Sequence, residues 1–197
     1  MDIADVFDKI KVVQDYVPVG NSNRPGGKIT PSSITIHNTD NTGKGANAAA
    51  HAKYMKGADA QKRKVSWHYS VDDKYVYQSI PTNEETWHSG TKEGNKSSIS
   101  IEICMNSDLD EAAAYDRAEW LVAVLCFRNG FNPSSAVFQH HDWSGKNCPR
   151  VLRGKTGAWD KFLDNILEKF SEIKQPKVVT LVASKSSRGS DDCENCA

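Results

Sequence analysis

The stretch "QHHDWSGKNCP", residues 139 to 149, sets two adjacent histidines ahead of a cysteine, with Lys146 two residues before that cysteine. Imidazole and thiol so close together are metal-ligand chemistry. In an extended segment successive side chains point to opposite faces, so only one of His140 and His141 is expected at an ion. The apolar residues of "VFQHH" fall at both parities and leave open which one. The segment from His140 to Cys148 contains Ser144 and Gly145 and is able to turn back, bringing thiolate to imidazole. That donor pair favours zinc over magnesium or calcium, and it needs a third ligand from elsewhere in the chain. His37 is the best candidate, at the end of a strand-like run beside the small polar loop "NTDNTG". Three protein ligands leave a fourth position for water, as at catalytic rather than structural zinc.

These residues need a scaffold, and two periodicities supply one. "SSITIHNT" alternates Ile34 and Ile36 against Thr35 and His37; "SWHYSV" sets Trp67, Tyr69 and Val71 against Ser66, His68 and Ser70; "SISIEIC" sets Ile99, Ile101 and Ile103 against Ser100, Glu102 and Cys104. Each run has the two-residue rhythm of a strand with one apolar and one polar face. Helical spacing is read in "ANAAAHAKYM" (46 to 55), in residues 111 to 130, with Tyr115, Ala118, Val122 and Leu125 along one stripe, and in residues 157 to 170. The expected fold is α/β: a single domain with a central mixed sheet, helices on its apolar side, and the polar side free to floor a groove. Residues 1–174 are expected to form that domain. Residues 175–197, rich in Ser, Lys and Asp after "KQP", are expected to be a linker or flexible tail.

Composition narrows the partners. Lys plus Arg equal Asp plus Glu at 25 each, so no basic field points to nucleic acid. No window approaches the ~20 apolar residues that span a bilayer, and the acidic start "MDIADVFDKI" lacks the basic and apolar regions of a signal peptide. The expectation is a chain made in the cytoplasm, which needs a separate release step if it works outside the cell. Five widely spread cysteines, an odd number, argue against a disulfide scaffold. The terminal "CENC" lacks the second pair of a zinc site and is read as two exposed thiols.

Five motifs in order, "ITIHNT", "SWHYSVDDKYVYQSIP", "TWHSG", "SSISIEIC" and "HHDWSGKNCPR", resemble the zinc-dependent N-acetylmuramoyl-L-alanine amidases. That family includes phage endolysins and Bacillus and Clostridium autolysins, and is related to the peptidoglycan-recognition proteins. The resemblance covers residues 16 to 170. It implies one Zn2+ ion held by His37, His140 and Cys148, with Glu102 as general base or water-orienting carboxylate and Lys146 as oxyanion partner. It also implies a zinc groove on the exposed sheet face. Some relatives place a tyrosine where this chain has Trp67, so the chain resembles the glutamate-using branch. The implied reaction is hydrolysis of the amide between N-acetylmuramic acid and the L-alanine of the stem peptide. Peptidoglycan is then the partner, reached after holin-mediated or lytic release, with targeting expected from the catalytic domain, from the tail, or from a wall-binding region not included here.

Around such a site Asn38, Thr39, Trp87, His88, Ser89 and Asn95 are expected to contact glycan or peptide, with His68 beside them on a polar strand face. His51 is read as structural and His141 as packing near the site. Two other classes compete. A cell-wall thiol peptidase would use Cys104 or Cys148 as nucleophile. A non-catalytic peptidoglycan-binding module would have no need of an open metal site.

Overall fold

In the computed structural model, which describes residues 1–173, the strands are β1 (Val12–Gln14), β2 (Ser33–Asn38), β3 (Tyr69–Val71), β4 (Val76–Gln78), β5 (Ser98–Ile103) and β6 (Val137–Gln139). The helices are α1 (Ile3–Ile10), α2 (Ala48–Lys56), α3 (Ala58–Arg63), α4 (Lys92–Ser97), α5 (Glu111–Asn129), α6 (Pro133–Ala136), α7 (His140–Ser144), α8 (Arg150–Gly154) and α9 (Ala158–Glu172). The expected tail, with Cys193 and Cys196, lies outside the described residues.

The strands form one mixed sheet in the order β1-β4-β3-β5-β2-β6, parallel except where β3 meets β4. The two six-residue strands pair in parallel at its centre, with Ile36 opposite Ile101 and His37 opposite Glu102. Because pleated side chains alternate, this register puts Ile34, Ile36, Ile99, Ile101 and Ile103 on one face. Helices α1, α5 and α9 close over that face, and Val6, Ile10, Leu121, Phe162 and Ile166 complete the core. Helix α5 starts where the Asp110 side chain accepts the Ala113 N–H, satisfying one of the orphan donors of its first turn. It is buried along Ala118–Cys126 rather than on a single stripe, because α1 and α9 pack on it from outside the sheet. Glu119 is buried there at no orphan cost, since Lys169 (2.7 Å) and Asn165 (2.8 Å) both donate to it.

The polar face is less open than alternation implies. Helix α2 packs over β3 and β4, and the chain from Glu84 to Ser97 folds back over β5. Every residue of β2 is buried as a result. "SWHYSV" pairs only from Tyr69 onward. Trp67 does not share the core side of Tyr69 and Val71; it joins Val17, Met55 and Ile80 in a second cluster on the groove side, and its indole donates to Ser70 Oγ (2.7 Å). The groove lies in the gap between α2 and the C-terminal ends of β2 and β5.

Candidate active site

His37 sits near the end of β2 on the groove side, and parallel pairing places Glu102 of β5 beside it, with Ser70 of β3 next in the row. His37 Nδ1 lies 3.9 Å from Glu102 Oε1. The third contributor arrives from β6, which pairs with β2 on its other side and ends at Gln139, delivering His140 as the first residue of α7. The stretch is helical rather than extended at the histidines, so adjacent side chains diverge by about 100° and not 180°. One histidine still turns inward: His140 is buried and His141 is 40% exposed. Gly145, at φ 73°, ends the helix in the left-handed region that costs glycine least, and the chain doubles back to Cys148. Cys148 is pinned by its carbonyl, which accepts the His141 N–H at 2.9 Å, and by Asn38, whose Oδ1 accepts the Val151 N–H at 3.0 Å.

Ligand atoms of His37, His140 and Cys148 therefore converge to within 4.8 Å of one another, all buried. Cys148 Sγ is 3.8 Å from His37 Nδ1, and the two imidazole centroids are 4.6 Å apart. Burial, helped by the neighbouring imidazoles and Lys146, pushes His37 well below the usual histidine range. Burial and Lys146 bring His140 down to about 4. Both rings are neutral at physiological pH, the form that ligates a metal. Burial raises the Cys148 thiol to about 12 and, less offset by Lys146 than driven by desolvation, the Glu102 carboxyl to about 8. Two buried atoms, His140 Nδ1 and Glu102 Oε2, have no hydrogen-bond partner in the protein. An unpartnered imidazole nitrogen in a cluster of two imidazoles and a thiol fits a zinc ion better than a hard cation that demands oxygen.

The groove holds about 380 Å3 and is lined by His37, Thr39, Trp87, His88, Glu102, His140 and Lys146 among the expected residues. Trp87, His88, His140 and Lys146 also border a second, wider cleft where Asn95 lies. Lys146 is exposed at the junction, free to reach either arm.

Three residues expected to touch substrate are turned inward instead. Asn38 is a buried strut, donating to Tyr115 Oη (3.1 Å) while holding Val151. His68 is fully buried, its Nε2 donating to the Glu84 carbonyl and its Nδ1 accepting the Ser100 N–H, each at 2.9 Å. Ser89 is fully buried and donates to Asn95 Oδ1, which also takes the backbone N–H groups of His88 and Ser89. His68 and Ser89 shape the loop that carries Trp87 and His88. His51, read as structural, lines the groove together with Tyr54, Arg63 and Trp67. His51 and Tyr54 are three apart on α2 and so share a helix face, a spacing visible in the sequence, although its direction is set only by packing.

Burial also holds the Cys104 thiol far above its usual range, and at 1% exposure it offers no attack path. With Cys148 likewise protonated, neither cysteine has the lowered pKa a thiol nucleophile needs.

A mixed α/β sheet whose central strands and following loop gather two histidines and a cysteine able to hold a metal ion, with a carboxylate beside them, defines the class of protein to which the chain is to be compared. The family profile described as N-acetylmuramoyl-L-alanine amidase matches residues 27–151. Two relatives from Bacillus subtilis (strain 168) carry that name: XlyA, 44% identical over 179 residues (88% of this chain, 58% of the relative), and CwlH, 43% identical over 160 residues (80% and 61%). The solved catalytic domain of XlyA superposes with a TM-score of 0.74 at 45% identity, covering 80% of this chain and 99% of that domain. The chain belongs to the N-acetylmuramoyl-L-alanine amidase family. It spans about three fifths of the length of these two curated relatives. Among the described residues no helix is long and apolar enough to cross a membrane.

Proposed function

We propose that this chain is a zinc-dependent hydrolase of peptidoglycan, cleaving the amide between N-acetylmuramic acid and the L-alanine that begins the stem peptide. The observation that carries the reading is the His37–His140–Cys148 cluster with the Glu102 carboxylate 3.9 Å from His37, in a chain of the amidase family. His37, His140 and Cys148 would hold the ion, which supplies a Lewis acid that polarises the scissile carbonyl and makes water a nucleophile near neutral pH.

Glu102 takes the proton of the attacking water and returns it to the leaving amine. Its Oε2 has no hydrogen-bond partner in the protein, which leaves that oxygen available to take and return a proton. Lys146, on the groove rim, faces the negative charge that grows on the carbonyl oxygen, a contribution of about 3 kcal/mol at comparable sites. Thr39, Trp87 and His88 line the floor and walls where glycan and peptide lie, and the indole of Trp87 offers a face for a sugar ring. Residues 1–174 form the catalytic unit in this reading, residues 175–197 a linker, and the wall is reached after lytic release.

Mass spectrometry of purified wall digests, with and without chelator, tests the proposal. New L-alanine amino termini that vanish with chelator support it; new reducing sugars, opened cross-bridges or chelator-resistant release refute it.

A further inference from the structure

We infer that His88 is a positioning residue that fixes which ring nitrogen of His37 carries hydrogen, leaving Nδ1 bare at the cluster, and that a run of hydrogen bonds beginning at Trp143 sets His88 in turn. The inference rests on the metal-holding role proposed for His37.

Counting hydrogens along the run gives the direction. An indole N–H only donates, so Thr35 Oγ1 accepts from Trp143 Nε1 (2.9 Å) and gives its own hydrogen to Ser98 Oγ (2.8 Å). Ser98 has one hydrogen, and the Gly94 carbonyl at 2.8 Å takes it in preference to His88 Nε2 at 3.3 Å. The hydrogen in the longer contact must then belong to His88 Nε2, and the Gly94 carbonyl lies within reach of the same ring. A neutral imidazole has one N–H, so His88 Nδ1 is an acceptor. It lies 3.0 Å from His37 Nε2, which therefore donates. His37 Nδ1 is left with its lone pair toward Cys148 Sγ. Reversing the Ser98 hydroxyl would reverse each step and put a hydrogen on the atom that faces the other ligands.

The run also joins the elements that bear the imidazoles. Thr35 is two residues before His37 on β2, and Trp143 is three residues after His140 on α7. Gly94 makes the closure possible: a Cβ there would fall 2.8 Å from the Trp143 ring and 2.6 Å from Ser89 Oγ. Any side chain would push the indole or the carbonyl out of place.

Long-range proton–nitrogen spectra of the 15N-labelled full chain, with zinc bound and after its removal, read the hydrogen directly. The expected result is a protonated Nε2 on His37 in both states. A hydrogen on Nδ1 of the zinc-free chain would overturn the inference. His88→Asn keeps an acceptor oxygen near the place of Nδ1, whereas His88→Leu keeps bulk without one. In competition with a chromogenic chelator, His88→Asn is expected within about threefold of wild-type zinc affinity and His88→Leu about 10–100-fold weaker. Equal losses in the two would reduce His88 to packing and overturn the inference. Trp143→Phe is expected to shift the His37 Nε2 proton signal, and an unmoved signal would remove Trp143 from the run. None of these readouts involves wall hydrolysis, so they stand apart from the fate of the amidase reading.

Discussion

Replacing Glu102 by glutamine is expected to make the zinc-free protein more stable at alkaline pH while removing its activity. Burial raises the Glu102 carboxyl from 4.5 to about 8, so the folded state favours its neutral form. The sign follows: stability tied to this group is complete below the unfolded pKa near 4.5 and is lost as pH rises through 8. At about 1.4 kcal/mol per pKa unit the loss has a ceiling of about 5 kcal/mol. The side chain keeps 15% of its surface in water. Solvent and local rearrangement screen the charge further, so about 2 kcal/mol is the working expectation. Glutamine is isosteric and never ionises. Urea unfolding in chelator should therefore give nearly equal stabilities for wild type and Glu102→Gln at pH 4, and a gap of about 2 kcal/mol or more favouring Glu102→Gln at pH 9. With zinc restored, Glu102→Gln should still bind the ion but solubilise walls at least about 100-fold more slowly, the scale of a lost general base. A stability gap that stays constant between pH 4 and pH 9 would refute the claim that Glu102 is held in a site hostile to its charge.

The opposite sign holds for His68, which burial lowers to about 4. Its contribution is present above pH 6.5 and fades as pH falls toward 4, amounting to about 3 kcal/mol by the linkage rule; a ring that titrates near 6.5 by NMR would contradict it. Asn38→Leu strips partners from the Val151 N–H and Tyr115 Oη, so it should cost about 3 kcal/mol in unfolding free energy and weaken zinc binding through the displaced Cys148 segment. Calorimetry at pH 7 in two buffers of different ionisation heat should find between one and two protons released on zinc binding, one from Cys148 and the rest from Glu102, since the imidazoles are already neutral. Cys148→Ser should release one fewer and bind zinc far more weakly.

How much of this was legible beforehand depended on the length of each element. The six-residue strands β2 and β5 announce themselves by alternation, and alternation alone puts His37 and Glu102 on the same kind of face as Thr35 and Ser100. Three-residue strands such as β1, β4 and β6 contain too few residues to show a period, and they exist because a longer neighbour offers its edge. Helix α7 was hidden for the same reason: "HHDWS" completes little more than one turn, held by the Asp142 carboxylate accepting the Gln139 N–H. The choice of His140 over His141 needed the family motif. Asn38, His68 and Ser89 have the types and neighbourhood of groove residues. Their inward orientation follows from partners such as Tyr115, Glu84 and Asn95, as many as 77 residues away, which no local pattern reveals.

The in-register pairing of β2 with β5 turns sheet geometry into a ruler. The separation of His37 from Glu102 is inherited from the ~4.8 Å spacing of neighbouring strands rather than from either side chain. The pairing itself sets no length on the exposed turns among the 59 residues between Asn38 and Ser98. A single residue inserted within Ser98–Ile103 would rotate the alternation by one step, sending the carboxylate into the isoleucine core and an isoleucine into the groove. One residue added inside this six-residue strand is therefore enough to dismantle the pairing of imidazole and carboxylate.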